Sequence, residues 1–346
     1  MIDNPCFDDV LLEPVFSNIP SRQDVDLSTE FLGLNLSIPI TNSNMDTISS
    51  PALSKVLADY GTVSSLHRFC TIEENLAAFE ASTHNGIKPI VSLGLGSVEL
   101  ERLLALFTAG ARIFLLDVAH AANIAVVNTY NLYSKKFPQA KFIVGNFGTG
   151  NEVREFLNRV NKKPEAICVG IGGGSMCLTR VVTGVGIPTL ASILDCAEIC
   201  DNEGMKMMVN GGLRNSGDIV KALAAGADLI MLGSMFAGTT EASGKERYTI
   251  NKNTLEKENI EKEYRGSASI KSYEIQGKIA SWRAPEGDST WVPLKGSAVH
   301  VLNGINGGIR SACSYLNASN IDELRTNAKF NFVTSNTVIE NKAHGK

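Results

Sequence analysis

A serine, a cysteine and a threonine crowd the end of Gly170-Ile171-Gly172-Gly173-Gly174-Ser175-Met176-Cys177-Leu178-Thr179. The apolar run Ala166–Val169 ahead of it reads as a short buried strand. Glycines at 170, 172, 173 and 174 let backbone N–H and C=O groups approach a bound ion or phosphate closely and allow positive φ. Ser175 adds a hydroxyl donor. Cys177 is a candidate nucleophile whose thiolate such a loop would favour, and Thr179 lies near enough to share its chemistry. The plainer alternatives are a packed loop thiol at 177 and a helix cap at 179.

The elements that must position this loop repeat along the chain. Strand-like runs recur at Pro39–Ser43, Gly61–Leu66, Pro89–Leu93, Ile113–Val118, Lys141–Gly145, Ala166–Gly170, Met207–Asn210 and Leu229–Leu232. Amphipathic stretches such as Pro51–Tyr60, Val98–Thr108, Asn123–Lys136 and Ser216–Ala225 lie between them. Eight βα repeats with short apolar strands predict an α/β fold, a single (β/α)8 TIM barrel. Polar and glycine-rich signals follow the strands: Asn44-Met45-Asp46, His67-Arg68, Gly94–Ser97, Asp117, Asn146, the glycine loop, Gly211-Gly212 and Gly233-Ser234. That end of a TIM barrel carries the active site, and the loops after strands seven and eight commonly grip phosphate. His67 and His120 also sit at strand ends, without metal-ligand spacing.

Past Gly238 the repeat breaks. Residues 239–297 are polar, with lysine and glutamate interleaved from Lys245 to Lys262, and read as a long flap loop over the active site. Ser297–Ala318 returns to a helical pattern, the eighth barrel helix. Residues 1–331 are expected to form the catalytic domain and 332–346 a frayed tail.

Composition excludes several classes. The chain has 346 residues, 44% hydrophobic and 20% charged, with net charge −4. It has no basic run of the kind that binds nucleic acid. No apolar stretch approaches the ~18 residues that span a bilayer. The start, Met-Ile-Asp-Asn-Pro-Cys, lacks the regions of a signal peptide, so a cytoplasmic protein is expected. Seven cysteines form no CxxC pair, and their odd number argues against a disulfide framework. Cys196 and Cys200, four apart in a helical pattern, read as reduced, packed thiols.

Several motifs in order match a known family. These are Phe7-Asp8-Asp9-Val10-Leu11-Leu12, Asn44-Met45-Asp46-Thr47, the glycine loop with Cys177 and Thr179, and Asn210-Gly211-Gly212. Met231–Gly238, Tyr264-Arg265-Gly266 and Gly307–Ser311 complete the set. Over nearly its whole length the chain resembles the IMP dehydrogenase/GMP reductase superfamily. Leu66–Cys70 runs straight into Thr71–Thr83, with no room for the CBS pair that many of the dehydrogenases carry. Dehydrogenases also have a longer flap with an Arg-Tyr pair that activates water. Here Gly277–Gly287 resembles the shorter reductase version, with Arg283 and Glu286 close together before a glycine. The chain therefore reads as a reductase.

The resemblance implies a mechanism and a site. Cys177 attacks C2 of the purine of guanosine monophosphate and expels ammonia, leaving a covalent thioimidate. Hydride from NADPH then yields inosine monophosphate. Thr179 and Glu286 act as the proton relay, although a solvated flap carboxylate is the plainer reading of Glu286. Asn44, Met45, Ser175, Asn210, Gly212, Gly233, Ser234, Tyr264 and Ser267 match substrate-binding positions, and Arg283 and Gly287 match contacts to the base. Arg68, Ser92, Gly94, Ser97, Asp117 and Asn146 match the cofactor side. The carbonyls of Gly172, Gly174 and Cys177 match a potassium site, with Gly173 standing where the family has proline. A homotetramer is also implied. Two alternatives remain: a dehydrogenase without the CBS pair, and a purine-nucleotide-binding regulator that has lost catalysis.

One departure bears on specificity. Where the family has aspartate ahead of Gly211-Gly212, this chain has Asn210. A carboxylate accepts from both ribose hydroxyls, whereas an amide is half donor. The substitution is either tolerated drift or a preference for a 2′-deoxynucleotide such as dGMP.

Overall fold

The computed structural model describes residues 4–251, 256–277, 280–334 and 336–341. Expectations touching 1–3, 252–255, Lys278-Ile279, Ser335 and 342–346 lie outside the described residues. The chain opens with β1 (Val10–Leu12) and a hairpin of β2 (Thr29–Phe31) and β3 (Leu34–Leu36). Strands and helices then alternate through β4 (Ile40–Asn42), α1 (Pro51–Asp59), β5 (Ser65–Leu66), α2 (Ile72–Ser82), β6 (Ile90–Leu93) and α3 (Ser97–Thr108). Next come β7 (Ile113–Asp117), α4 (Ile124–Lys136), β8 (Lys141–Phe147), α5 (Gly150–Leu157) and β9 (Ala166–Val169). The short α6 (Thr179–Thr183), α7 (Thr189–Glu203), β10 (Lys206–Asn210), α8 (Ser216–Ala224) and β11 (Leu229–Leu232) complete the repeats. β12 (Glu246–Ile250), β13 (Lys257–Arg265), α9 (Ile270–Ile275) and β14 (Ser289–Pro293) precede α10 (Ala298–Tyr315), α11 (Ile321–Asn327), β15 (Phe330–Phe332) and α12 (Thr337–Glu340).

Strands β4 to β11 form one eight-stranded parallel sheet in the order β4-β11-β10-β9-β8-β7-β6-β5. They are the eight predicted runs, and they make a TIM barrel with no domain inserted between β5 and α2. Side chains alternate across the barrel wall, as strand geometry requires. Leu115, Ile143, Cys168, Met208 and Met231 point inward, where Phe31, Leu32 and Leu36 of the β2–β3 hairpin join them. Phe114, Val144, Ile167, Val209 and Ile230 point outward into the layer beneath the helices. Cys196 and Cys200 are buried free thiols in that outer layer. Helix starts follow local sequence: Thr71 with Glu74, and Thr149 with Glu152, form capping boxes on α2 and α5.

The flap segment differs from the loop expected. It contains a three-stranded antiparallel sheet, β12-β13-β14, and the helix α9. The interleaved charges are cross-strand partners rather than loop solvation: Arg247 on β12 pairs with Glu261 on β13 at 2.6 Å and stacks over Trp291 on β14. Phe332 pairs with Val10 in a β1–β15 ladder, and Val333 N–H donates to Asp9 C=O. Among the described residues no helix is long and apolar enough to cross a membrane.

The barrel's seam falls between β4 and β5, where side chains take over from the backbone ladder. The Asn42 amide donates to Ser65 C=O and accepts from Ser65 N–H, both at 2.9 Å. Thr41 and Ser65 hydroxyls meet at 3.0 Å, and Thr62 Oγ1 donates to Ile40 C=O. Asn42 is fully buried, so its removal strands the Ser65 N–H. We expect Asn42→Ala to cost about 1–3 kcal/mol, the penalty of an unsatisfied buried donor. The check is a lower urea midpoint with an unchanged slope.

Candidate active site

The Cys177 loop leaves β9 at Gly170, whose φ is +132° and whose missing Cβ would lie 2.1 Å from Asn210 C=O. Only glycine lets the loop pass the end of β10 so closely. At Gly173 an added Cβ would meet Thr189 Oγ1 at 2.3 Å, so the hydroxyl of α7 occupies the space a side chain would need. Gly174 C=O accepts from Cys177 N–H at 3.0 Å. Arg180 packs over Gly172 and donates to Ile171 C=O.

The flap straps this loop from above. Leu178 N–H donates to Glu286 C=O at 2.7 Å, and Asp288 N–H donates to Met176 C=O at 2.9 Å. Cys177 and Gly287 form an isolated antiparallel bridge. The side chains then line up. Cys177 Sγ donates to Thr179 Oγ1 at 3.2 Å, and Thr179 Oγ1 donates to Glu286 Oε2 at 2.8 Å. A thiol, a hydroxyl and a carboxylate thus form one continuous path for a proton. Burial pushes the thiols of Cys168 and Cys196 up, which suits packing rather than reactivity, whereas Cys177 stands half-buried in a cavity wall.

That cavity measures about 500 Å³. It brings together Asn44, Met45, Arg68, Asp117, Asn146, Gly172, Gly174, Ser175, Cys177, Thr179, Asn210, Tyr264, Ser267, Arg283, Glu286 and Gly287. Ser175 Oγ and Tyr264 OH meet at 2.9 Å. Asn44 Nδ2 donates to Ser92 Oγ at 2.8 Å and to Asp117 Oδ2 at 3.0 Å. Asn146 Nδ2 donates to Gly170 C=O at 2.8 Å, which leaves its buried Oδ1 without a partner. Arg283 lies over the rings of Tyr273 and Trp282 at 5.2 and 4.9 Å.

Other expected residues lie outside the cavity wall. Ser92 is buried behind Asn44, and Gly94 backs Arg68, whose guanidinium would meet a Cβ there at 2.8 Å. Ser97 is exposed at the start of α3. Gly233 packs beside Tyr264 OH, and Gly212 against Thr189. Ser234 lines a separate depression with Arg214, Lys295 and His300, and its carbonyl accepts from Lys295 Nζ at 2.9 Å. His67 accepts from Phe69 N–H and stacks on its ring, while His120 sits 3.3 Å from Glu152. Among the described residues no group of three or more His, Cys, Asp or Glu could hold a metal ion. Phe69, Tyr273 and Gln276 also line the cavity. Nothing in local spacing singles them out; only the folded flap and the loop after β5 bring them there.

The IMP dehydrogenase / GMP reductase domain matches residues 5–344. The chain is 34% identical to the GMP reductase of Klebsiella pneumoniae, covering 94% of this chain and 93% of that protein. It is 33% identical to GMP reductase 1 of Mus musculus over 96% of both chains. GMP reductase 2 of Homo sapiens is 33% identical over 95% of this chain and 94% of its own.

Asp117 has an electrostatic consequence that can be measured. Burial pushes its carboxyl above the ordinary range, against the opposing pull of Arg68 and the Asn44 hydrogen bond. With the folded pKa raised above the unfolded one, the stability tied to the protonated group is lost as pH rises through the folded value. Asp117→Asn keeps the neutral shape, so the variant should melt higher than wild type at neutral pH. The difference should shrink as pH falls toward about 4, the ordinary aspartate range. Thermal melts across that window check it; a variant that gains nothing at neutral pH contradicts the assignment.

Proposed function

The chain belongs to the IMP dehydrogenase / GMP reductase family, and from that premise we propose that it is a cytoplasmic, homotetrameric GMP reductase. It converts guanosine monophosphate, or its deoxy counterpart, to the inosine nucleotide and ammonia. The observation that carries the reading is the unbroken path from Cys177 Sγ through Thr179 Oγ1 to Glu286 Oε2.

On this reading the thiol proton passes through Thr179 to Glu286, and the Cys177 thiolate adds to C2 of the purine. The C2–N bond breaks as Glu286 returns that proton through Thr179 to the departing amine. An amine leaves only when protonated, so the relay does chemistry that Cys177 alone cannot. When bound, a reduced nicotinamide, NADPH, supplies the hydride that replaces the amino group. The Cys177 thiolate is then expelled. Orphaned polar atoms suit such a group: Asn146 Oδ1 and Arg68 Nε are buried without partners beside the cavity. A carboxamide offers the donor and the acceptor these two atoms lack. Asn44, Arg68, Asp117 and Asn146 would hold it. Ser175, Tyr264 and Ser267 in the cavity wall would hold the phosphate, with Gly233 backing Tyr264, while Met45, Arg283 and Gly287 would meet the base. The carbonyls of Gly172, Gly174 and Cys177 are the donor type a potassium ion takes, and such an ion would stiffen the loop without entering the chemistry.

Cys177→Ala should abolish GMP-dependent NADPH oxidation while leaving nucleotide binding close to wild type, because the thiol forms its bond only during chemistry. Thr179→Ala and Glu286→Gln should each slow turnover by roughly 10²–10⁴-fold, the range for general acid–base groups. Absorbance at the NADPH band with GMP, dGMP and IMP reads all three. Turnover by the cysteine variant would place the nucleophile elsewhere, and IMP-dependent reduction of NAD would favour a dehydrogenase.

Asn210 supports the deoxynucleotide form of the reading. It ends β10 in the cavity wall, and its neutral amide cannot accept from two ribose hydroxyls as a carboxylate does. The kcat/KM for dGMP should equal or exceed that for GMP. Asn210→Asp should then shift preference toward the ribonucleotide by roughly 1–3 kcal/mol, the range for hydrogen bonds to charged groups. A wild-type enzyme with a strong preference for GMP would leave Asn210 as a tolerated substitution.

A further inference from the structure

The loop after β4 faces two ways. Asn44 and Met45 line the cavity. Asp46 and Thr47 face the root of the flap instead. Arg265 Nη2 donates to Asp46 Oδ2 at 2.5 Å, and Arg265 N–H donates to Thr47 Oγ1 at 3.3 Å. Ser243 Oγ and Gly244 N–H donate to the carbonyls of Asp46 and Thr47. The ion pair is buried, with side-chain exposures of 8% for Arg265 and 11% for Asp46. Arg265 Nη1 also donates to Glu263 Oε1 at 2.9 Å, and Lys271 of α9 reaches the same oxygen. A chain of alternating charge therefore runs from the barrel rim to the flap helix.

Stability alone is a poor reason for such a chain, because a buried ion pair seldom outperforms a well-packed apolar one. The neighbours of Arg265 suggest a different use. Successive residues of a strand face opposite ways. Tyr264 accordingly turns away from Asp46 and meets Ser175, while Gly266 packs so tightly that a Cβ would lie 2.9 Å from Met176 C=O. The residue held by the ion pair is thus flanked by two that touch the Cys177 loop.

We propose that the Asp46–Arg265 ion pair positions the flap for the reaction at Cys177, holding the register in which Tyr264 reaches Ser175 and Glu286 reaches Thr179. The inference rests on Cys177 being the nucleophile of the reductase reading. Neither residue touches the reacting atoms; both are positioning residues. The geometry gives their loss a distinctive signature, since a shifted flap would uncover the thiol and misalign the relay together.

The test uses the full chain with Asp46→Asn, Arg265→Gln, the conservative Arg265→Lys, and the double variant Asp46→Leu/Arg265→Met, in which packing replaces charge. The first readout is the rate at which iodoacetamide alkylates Cys177, followed by peptide mass spectrometry; it needs no substrate. The second is kcat and KM with GMP and NADPH. Folded variants should alkylate several times faster at Cys177 and lose roughly tenfold to a hundredfold in kcat/KM, as small misplacements of catalytic groups do. Arg265→Lys should fall between them and wild type. The double variant, in which Glu263 keeps Lys271 as its partner, should stay folded yet share the kinetic loss. Wild-type alkylation and kcat in the folded double variant would overturn the proposal. Should wild type fail to oxidise NADPH with GMP while the variants still expose Cys177, the reductase reading falls and the positioning role stands.

Discussion

The chemistry at the mouth of this barrel depends on holding together two segments that no single element contains. The Thr179–Glu286 hydrogen bond joins residues 107 apart in sequence. Beside it, two backbone hydrogen bonds, from Leu178 N–H to Glu286 C=O and from Asp288 N–H to Met176 C=O, fix the spacing. The Cys177 loop has little to hold it otherwise, because its four glycines carry no side chain to pack and α6 after it buries none of its residues. Its precision comes from outside, from the flap above and from β10 and α7 behind. The loop is free to approach a nucleotide closely because its order is supplied by neighbours, which is how functional loops on rigid scaffolds generally work.

The scaffold was legible because its signal is local. Each of the eight barrel strands is a short apolar run with a polar or glycine residue at its end, and at the ends of β4, β5, β7, β8, β9 and β10 such residues line one cavity. Asn44 follows β4, and Asp117, Asn146 and Asn210 stand at or near the ends of β7, β8 and β10, yet all four line the same cavity. Glu286 was legible only through resemblance, since an exposed-looking glutamate in a polar segment carries no local sign of its partner. The flap's sheet was illegible for a related reason. β12 is exposed along its whole length, so no apolar alternation marks it, and the Arg247–Glu261 and Arg247–Trp291 contacts that hold it join three separate strands. The seam is similar. Asn42 reads as an ordinary polar residue at a strand end, yet its amide does the work of a backbone pair.

The buried polar atoms left without partners divide the molecule in two. Among the described residues they are eight: Asp46 Oδ1, Arg68 Nε, Ser82 Oγ, Tyr130 OH, Asn146 Oδ1, Thr189 Oγ1, Ser192 Oγ and Arg265 Nε. Ser82, Tyr130 and Ser192 sit on barrel helices, where each costs stability with no reaction to serve. The other five ring the mouth: two line the cavity, two belong to the Asp46–Arg265 pair, and one backs the Cys177 loop. Unsatisfied groups are normally rare and costly. The two in the cavity wall, on Arg68 and Asn146, fit a site that keeps polar atoms fixed and unpaired until a ligand pairs them, so that little reorganisation remains at the moment of reaction. The lower barrel has the opposite character. The β2–β3 hairpin and the inward side chains form an apolar plug whose burial stabilises the barrel beneath a rim that carries unpaired polar atoms.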